Sequence, residues 1–273
     1  MSIELIVGQK KKIGHNEYYD YDFNISLDDE DKIDELANSI KKCYTSIDSL
    51  LEHLPTNGPL KTNFIKELIN NRIPYWEEGK KAGFQVVRSE FGEVIAQLTM
   101  KKYFNTDIHL SRLSTKEKPL LATRGIDLLG VEMKDEDPIL VLGEVKVSKD
   151  TNNPPGVVHK AGDKGCLENK IPYLLSSKKE INEELAYYIE HAPEEVKEIY
   201  VDLAARFMLE PDNLIIVGVP FLLRDAELFH MDDVGDLLEH ESSATRKVRF
   251  VIIRIKEDVN KLSKYVYDKA RGG

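Results

Sequence analysis

Two apolar, β-branched-rich runs, GIDLLGVEM (125–133) and ILVLGEVKVS (139–148), flank a charged KDEDP segment. No other feature limits the fold as much. A connection of that length predicts an antiparallel hairpin. The second run is apolar on both faces, as a strand covered from both sides must be. Within it Glu144 and Lys146 are two residues apart and share a face, while Val145 points to the other. A charged pair on one face of a central strand is costly to bury unless it meets opposite charge or a metal. A hairpin with its midpoint near residue 136 pairs Asp127 near 145, adjacent to Glu144 and Lys146.

The rest of the chain supplies layers for this hairpin. Tyr19, Tyr21, Phe23, Ile25 and Leu27 alternate with polar residues and predict a strand. Ile33, Leu36, Ile40, Tyr44, Ile47 and Leu51 recur at helical spacing after the acidic DDED run, whose charge suits a helix N-terminus. Pro55, Gly58 and Pro59 break the pattern, and Leu60 to Ile69 suggests a second helix ending near Pro74. RSEFGEVIAQLTMKKYF, from residue 88, predicts a helix with Phe91, Val94, Ile95 and Leu98 on its apolar face. Residues 178–191, 194–208 and 257–269 read as helices, and 214–223 and 247–255 as strands. Residues 157–170 are too irregular to assign. The expected architecture is α/β (α+β), a central mixed sheet flanked by helices over residues 86–273, preceded by an accessory strand and helical region over 1–85.

Hydrophobic residues make up 41 % of the 273, enough for a substantial core, and no run is long enough to cross a membrane. The N-terminus lacks the order of a secretory signal, so a cytoplasmic protein is expected. Two cysteines, Cys43 and Cys166, exclude a disulfide framework and a zinc cluster. The formal charge of −10 argues against coating nucleic acid by bulk charge. That acidity is uneven: residues 1–55 and 176–273 carry −6 each, whereas 56–175 carry +2.

Asp127, Glu144 and Lys146 meeting on a sheet suit a hard divalent cation with oxygen ligands and several waters. Such a cation polarises a phosphoryl oxygen and acidifies a bound water, while an ammonium group orients that water. The alternative is a structural salt bridge from Lys146 to Asp127 or Glu144. The seven histidines show no HxxxH or HxH pairing. The AGDKG segment lacks P-loop spacing, and no GxSxG is present. His159 and the lysines 160, 164 and 170 follow the second strand, where they could face a cleft or simply solvent.

A helix bearing Glu, then GID, a hairpin and ExK resembles the PD-(D/E)xK nuclease superfamily, the core of many restriction endonucleases. The resemblance implies a restriction-endonuclease-like core with Asp127, Glu144 and Lys146 at the metal-binding and catalytic positions. It also implies that the carbonyl of Val145 contacts the metal, and that a glutamate of FGEVIAQL joins the site. Glu93 is the first choice for that role and Glu90, one turn earlier, the second. Ile126 stands where the superfamily pattern has proline. RSEFGE, RGIDLLG and LGEVKVS further resemble the nuclease subunits of the Hachiman anti-phage defence system, the HamA family. That likeness implies DNA as substrate and a helicase as partner, and with the carboxylate site the expected activity is that of an endonuclease using Mg2+ or Mn2+. The competing expectations are a non-catalytic partner-binding subunit on a decayed nuclease core, and a nuclease acting on RNA.

Overall fold

In the computed structural model, which describes residues 3–44, 63, 64, 67, 70–76, 81–121, 125–135 and 137–272, six strands form one mixed sheet. They are β1 (Ile6–Ile13), β2 (Asn16–Phe23), β3 (Leu128–Lys134), β4 (Asp137–Ser148), β5 (Ile216–Asp225) and β6 (Arg246–Ile255). Their spatial order is β1-β2-β6-β5-β4-β3. The four inner strands run parallel, and an antiparallel partner closes each edge. The expected α/β architecture, a mixed sheet between helices, is what the chain adopts.

Period two along the strands builds two cores. Val141, Val145, Val147, Phe221 and Ile253 face one way and pack under α1 (Glu30–Tyr44), α2 (Lys81–Tyr103) and α6 (Val259–Ala270). Leu140, Leu142, Leu222 and Ile252 face the other way, under α3 (Leu167–Ser176), α4 (Lys178–His191) and α5 (Lys197–Leu209). Central strands covered on both faces must be apolar on both, which is why β4 and β5 read as continuous hydrophobic runs. Tyr19, Tyr21, Phe23, Ile25 and Leu27 all join the first core, as their alternation requires. Through β2, which pairs with β6, and α1, which packs on α6, the N-terminal residues share this sheet and this core.

Two local differences from the sequence reading have physical causes. The irregular 157–170 stretch ends in helix α3, which Pro172 inside it hides from a propensity reading. The β3–β4 hairpin turns between Lys134 and Asp137, with Asp135 at a φ of 50°, so the two strands are joined by a tight two-residue connection. Leu128 pairs with Gly143, and extending that register puts Asp127 opposite Glu144 rather than residue 145. Asp127 itself lies just before β3. The helix expected over 60–69, and the continuation of α1 to Ile47 and Leu51, fall mainly outside the described residues. Among the described residues no helix is long and apolar enough to cross a membrane.

Candidate active site

The β3 ladder ends at Leu128, one residue short of Asp127, and past Gly143 β4 is paired with β5 but no longer with β3. That mismatch in length creates the site. Val145 has lost its antiparallel neighbour, and its N–H donates to Asp127 Oδ2 at 2.8 Å. Leu140, of opposite parity, donates its N–H towards β5 at Ile215. Odd-numbered residues of β4 therefore direct N–H and C=O together towards the β3 side. The Val145 carbonyl thus faces the end of the strand where Asp127 stands.

On the α3 side of β4, Lys146 Nζ and Glu144 Oε1 are 2.5 Å apart. Glu144 is buried, whereas a quarter of the Lys146 side chain is exposed. Burial works against the charge on Lys146, but Glu144 and then Asp127 outweigh it and raise its pKa. Asp127 is pushed up to about 7 by burial and next by the Glu144 carboxylate, although the Val145 N–H and the charges of Lys146 and Lys170 oppose the rise.

Glu93 reaches the same charges from beneath the sheet. Helix α2 lies close on β4 at Gly92, where an added Cβ would sit 2.6 Å from Val147 Cγ2 and 3.2 Å from Val145 Cγ1. Glycine in a helix interior costs roughly 1 kcal/mol relative to alanine, and here it permits a contact that no other residue would. The next residue, Glu93, is 7 % exposed and its Oε2 has no hydrogen-bond partner. Burial raises its pKa well above the carboxylate range, and Asp127, Glu90 and Glu144 add to that rise. Glu90, also buried, is engaged at both oxygens, by Tyr44 Oη and Lys116 Nζ. Among the described residues, no three Asp, Glu, His or Cys side chains are already arranged as metal ligands: Glu144 is turned to Lys146 and Asp127 to the Val145 N–H.

The HamA family model matches residues 3–270, nearly the whole chain. The chain belongs to the HamA family. HamA proteins are components of the Hachiman anti-phage defence system and act there with a partner. Among curated proteins, no significant match is found.

In this HamA-family chain the four side chains singled out from sequence occupy one neighbourhood, three at the end of the hairpin and Glu93 below it. Beside them opens a cleft of about 740 Å³ whose lining includes Lys146, Asp150, His159, Lys160 and Cys166. His159 lines this cleft, is exposed and is paired with Glu168, which raises its pKa. Lys160 also lines the cleft, while Lys170 stands in the first turn of α3, near enough to favour ionised Asp127.

Sequence reading missed three residues. Lys116, 5 % exposed, is the counter-ion of Glu90, and burial lowers its pKa against the pull of Glu90. Glu184 of α4 is paired with Arg112, and its Oε1 accepts the Ile126 N–H at 3.2 Å. All three meet their partners only through the tertiary fold. The one local signal is Gly125, whose φ of +102° marks an unusual turn immediately before Asp127.

Proposed function

We propose that this HamA-family protein is a metal-dependent endonuclease that hydrolyses DNA phosphodiesters and works with a helicase partner in phage defence. The observation that carries the reading is the meeting of Asp127, Glu144 and Lys146 where β4 outruns β3, with Glu93 beneath and its Oε2 without a hydrogen-bond partner. Asp127, Glu144 and Glu93 have one directly paired ammonium group among them, that of Lys146, with Lys170 and Lys116 acting only from further off, and a bound cation would offset the remaining acid.

The donor set fits Mg2+, or Mn2+, which is commonly held by one or two carboxylates and several waters rather than by a full protein cage. Asp127, Glu144 and the Val145 carbonyl would hold it, with Glu93 assisting directly or through water. When bound, such an ion supplies Lewis acidity to a phosphoryl oxygen and lowers the pKa of a bound water. Lys146 would hold and orient the attacking water, and its charge would offset charge developing on the phosphoryl oxygens. Water attacks phosphorus in line, a P–O ester bond breaks, and the products are a phosphomonoester and a hydroxyl. The cleft beside Lys146 offers Lys160 to flanking phosphates. The acidic flanks, −6 each, are suited to a protein partner rather than to DNA.

One observation favours a second reading. The Glu144–Lys146 pair is closed, as it would be in a partner-binding subunit built on a decayed nuclease core. One experiment separates the two readings: purify the chain with the helicase encoded beside it, then assay double- and single-stranded DNA with Mg2+, with and without ATP, including an RNA control. Cleavage that is lost in Glu144→Ala and Lys146→Ala supports the nuclease. If either variant cuts as well as the parent, the nuclease assignment is wrong.

A further inference from the structure

The turn that carries Asp127 is held from outside the site. Gly125 stands at a φ of +102°, a region L side chains rarely adopt, and a Cβ there would lie 2.5 Å from Glu184 Oε1 and 2.7 Å from Arg112 Nη2. That approach lets Glu184 Oε1 accept the Ile126 N–H at 3.2 Å. Glu184 is 5 % exposed. Its other oxygen is gripped by Arg112, whose guanidinium lies 3.5 Å from the centroid of the Tyr187 ring. Tyr187 Oη in turn donates to Thr115 Oγ1 at 2.7 Å, and Tyr188 Oη to the Leu110 carbonyl at 3.0 Å. The carboxylate of Glu184 is therefore held at both oxygens within a hydrogen-bonded junction between α4 and the 110–115 segment.

We propose that Glu184, anchored by Arg112, is a positioning residue that sets Asp127 for cation binding, an inference that rests on the nuclease reading above. Asp127 has two tethers. Its own carboxylate is held by the Val145 N–H, and its main chain by Ile126, whose side chain is buried in the core and whose N–H is held by Glu184. Without the second tether, a loop residue ahead of β3 can swing about the first, and the carboxylate no longer meets Glu144 in a fixed geometry. Groups that orient metal ligands typically change metal affinity or activity by about 10- to 100-fold when removed.

The test measures Mn2+ binding to the full chain by electron paramagnetic resonance, independently of cleavage. Glu184→Ala is expected to raise the Mn2+ concentration for half-saturation by about tenfold or more. Glu184→Gln keeps an oxygen for the Ile126 N–H but turns an amide NH2 towards Arg112, and is expected to bind more weakly than the parent yet more tightly than Glu184→Ala. Affinity in Glu184→Ala within twofold of the parent overturns the proposal. So does a Glu184→Gln loss equal to that of Glu184→Ala, which would mark an ion pair of structural value only. Should Glu184→Ala fail to fold, Arg112→Gln leaves Glu184 in place but unanchored, and parent-level Mn2+ affinity in that variant overturns the proposal. These outcomes leave the nuclease reading standing. A parent chain that binds no Mn2+ removes both.

Discussion

Glu90 and Glu93 lie three residues apart on α2, both buried, in opposite circumstances. Glu90 is in a closed cluster: Lys116 and Tyr44 take its two oxygens, and Tyr44 Oη lies 3.2 Å from Tyr267 Oη. Glu93 is in an open one: one of its oxygens has no partner, and Asp127, Glu90 and Glu144 together act on it more than the single opposing charge of Lys116, which is bound to Glu90. Burial raises both acids, Glu90 only to about 6 because Lys116 opposes it, Glu93 well beyond the carboxylate range. One helix thus carries a charge the fold neutralises itself and another that it leaves for something else to neutralise. The first kind of group serves stability, and the second serves binding or chemistry.

The largest expected effect comes from breaking the open cluster at its chemical end. Lys146→Ala and Glu144→Ala should each lower DNA cleavage by about 10³-fold or more, since electrostatic groups at the reacting phosphate commonly supply that much. Melting temperatures should stay within a few degrees of the parent. A smaller pair of effects exchanges the two glutamates. Glu93→Gln should lower cleavage about 10- to 100-fold and leave thermal stability equal or higher, because it removes an unpaired buried acid. Glu90→Gln should do the reverse: stripping a buried lysine of its counter-ion costs about 3–5 kcal/mol, read as a lower denaturant midpoint, and it should affect cleavage less than Glu93→Gln. If Glu90→Gln were the more damaging to cleavage and the less damaging to stability, the assignment of closed and open clusters would be inverted.

Much of the open cluster is legible in the sequence because it is built locally. Period two fixes the common face of Glu144 and Lys146, and a tight hairpin brings Asp127 within one register position of where it was expected. Glu93 reads from its place beside an apolar helical stripe. The closed cluster and the Glu184 junction do not read, because their partners are distant: Lys116 is 26 residues from Glu90, and Arg112 is 72 from Glu184. Charged residues in a loop such as STKEKP look like solvated surface until the fold buries one of them. The same holds for the sheet edge, since nothing in residues 16–23 announces a parallel partner in 249–255.

The smallest expected effect, a change in stability with pH, sharpens the comparison through the parent chain itself. In the metal-free chain Asp127 titrates at about 7 and Glu93 well above its ordinary value, whereas unfolded carboxylates titrate near 4. Between those limits the folded chain holds more protons than the unfolded one, so stability is greatest in acid and falls as pH rises towards about 7. Glu90, at about 6, adds to the lower part of that fall. With chelator present, the melting temperature should drop on the order of 5 °C between pH 5 and 7.5, and Mn2+ added at pH 7.5 should restore it, because a cation replaces the protons that the open cluster has given up. Asp127→Asn should flatten the upper part of the slope and lose the Mn2+ response, while Lys116→Met, which removes the counter-ion of Glu90 and none of the proposed cation ligands, should lower stability yet keep that response. A chelated parent whose stability is level or rising across this range would show that the cluster carries no acid surplus, and the reason for expecting a cation there would be gone.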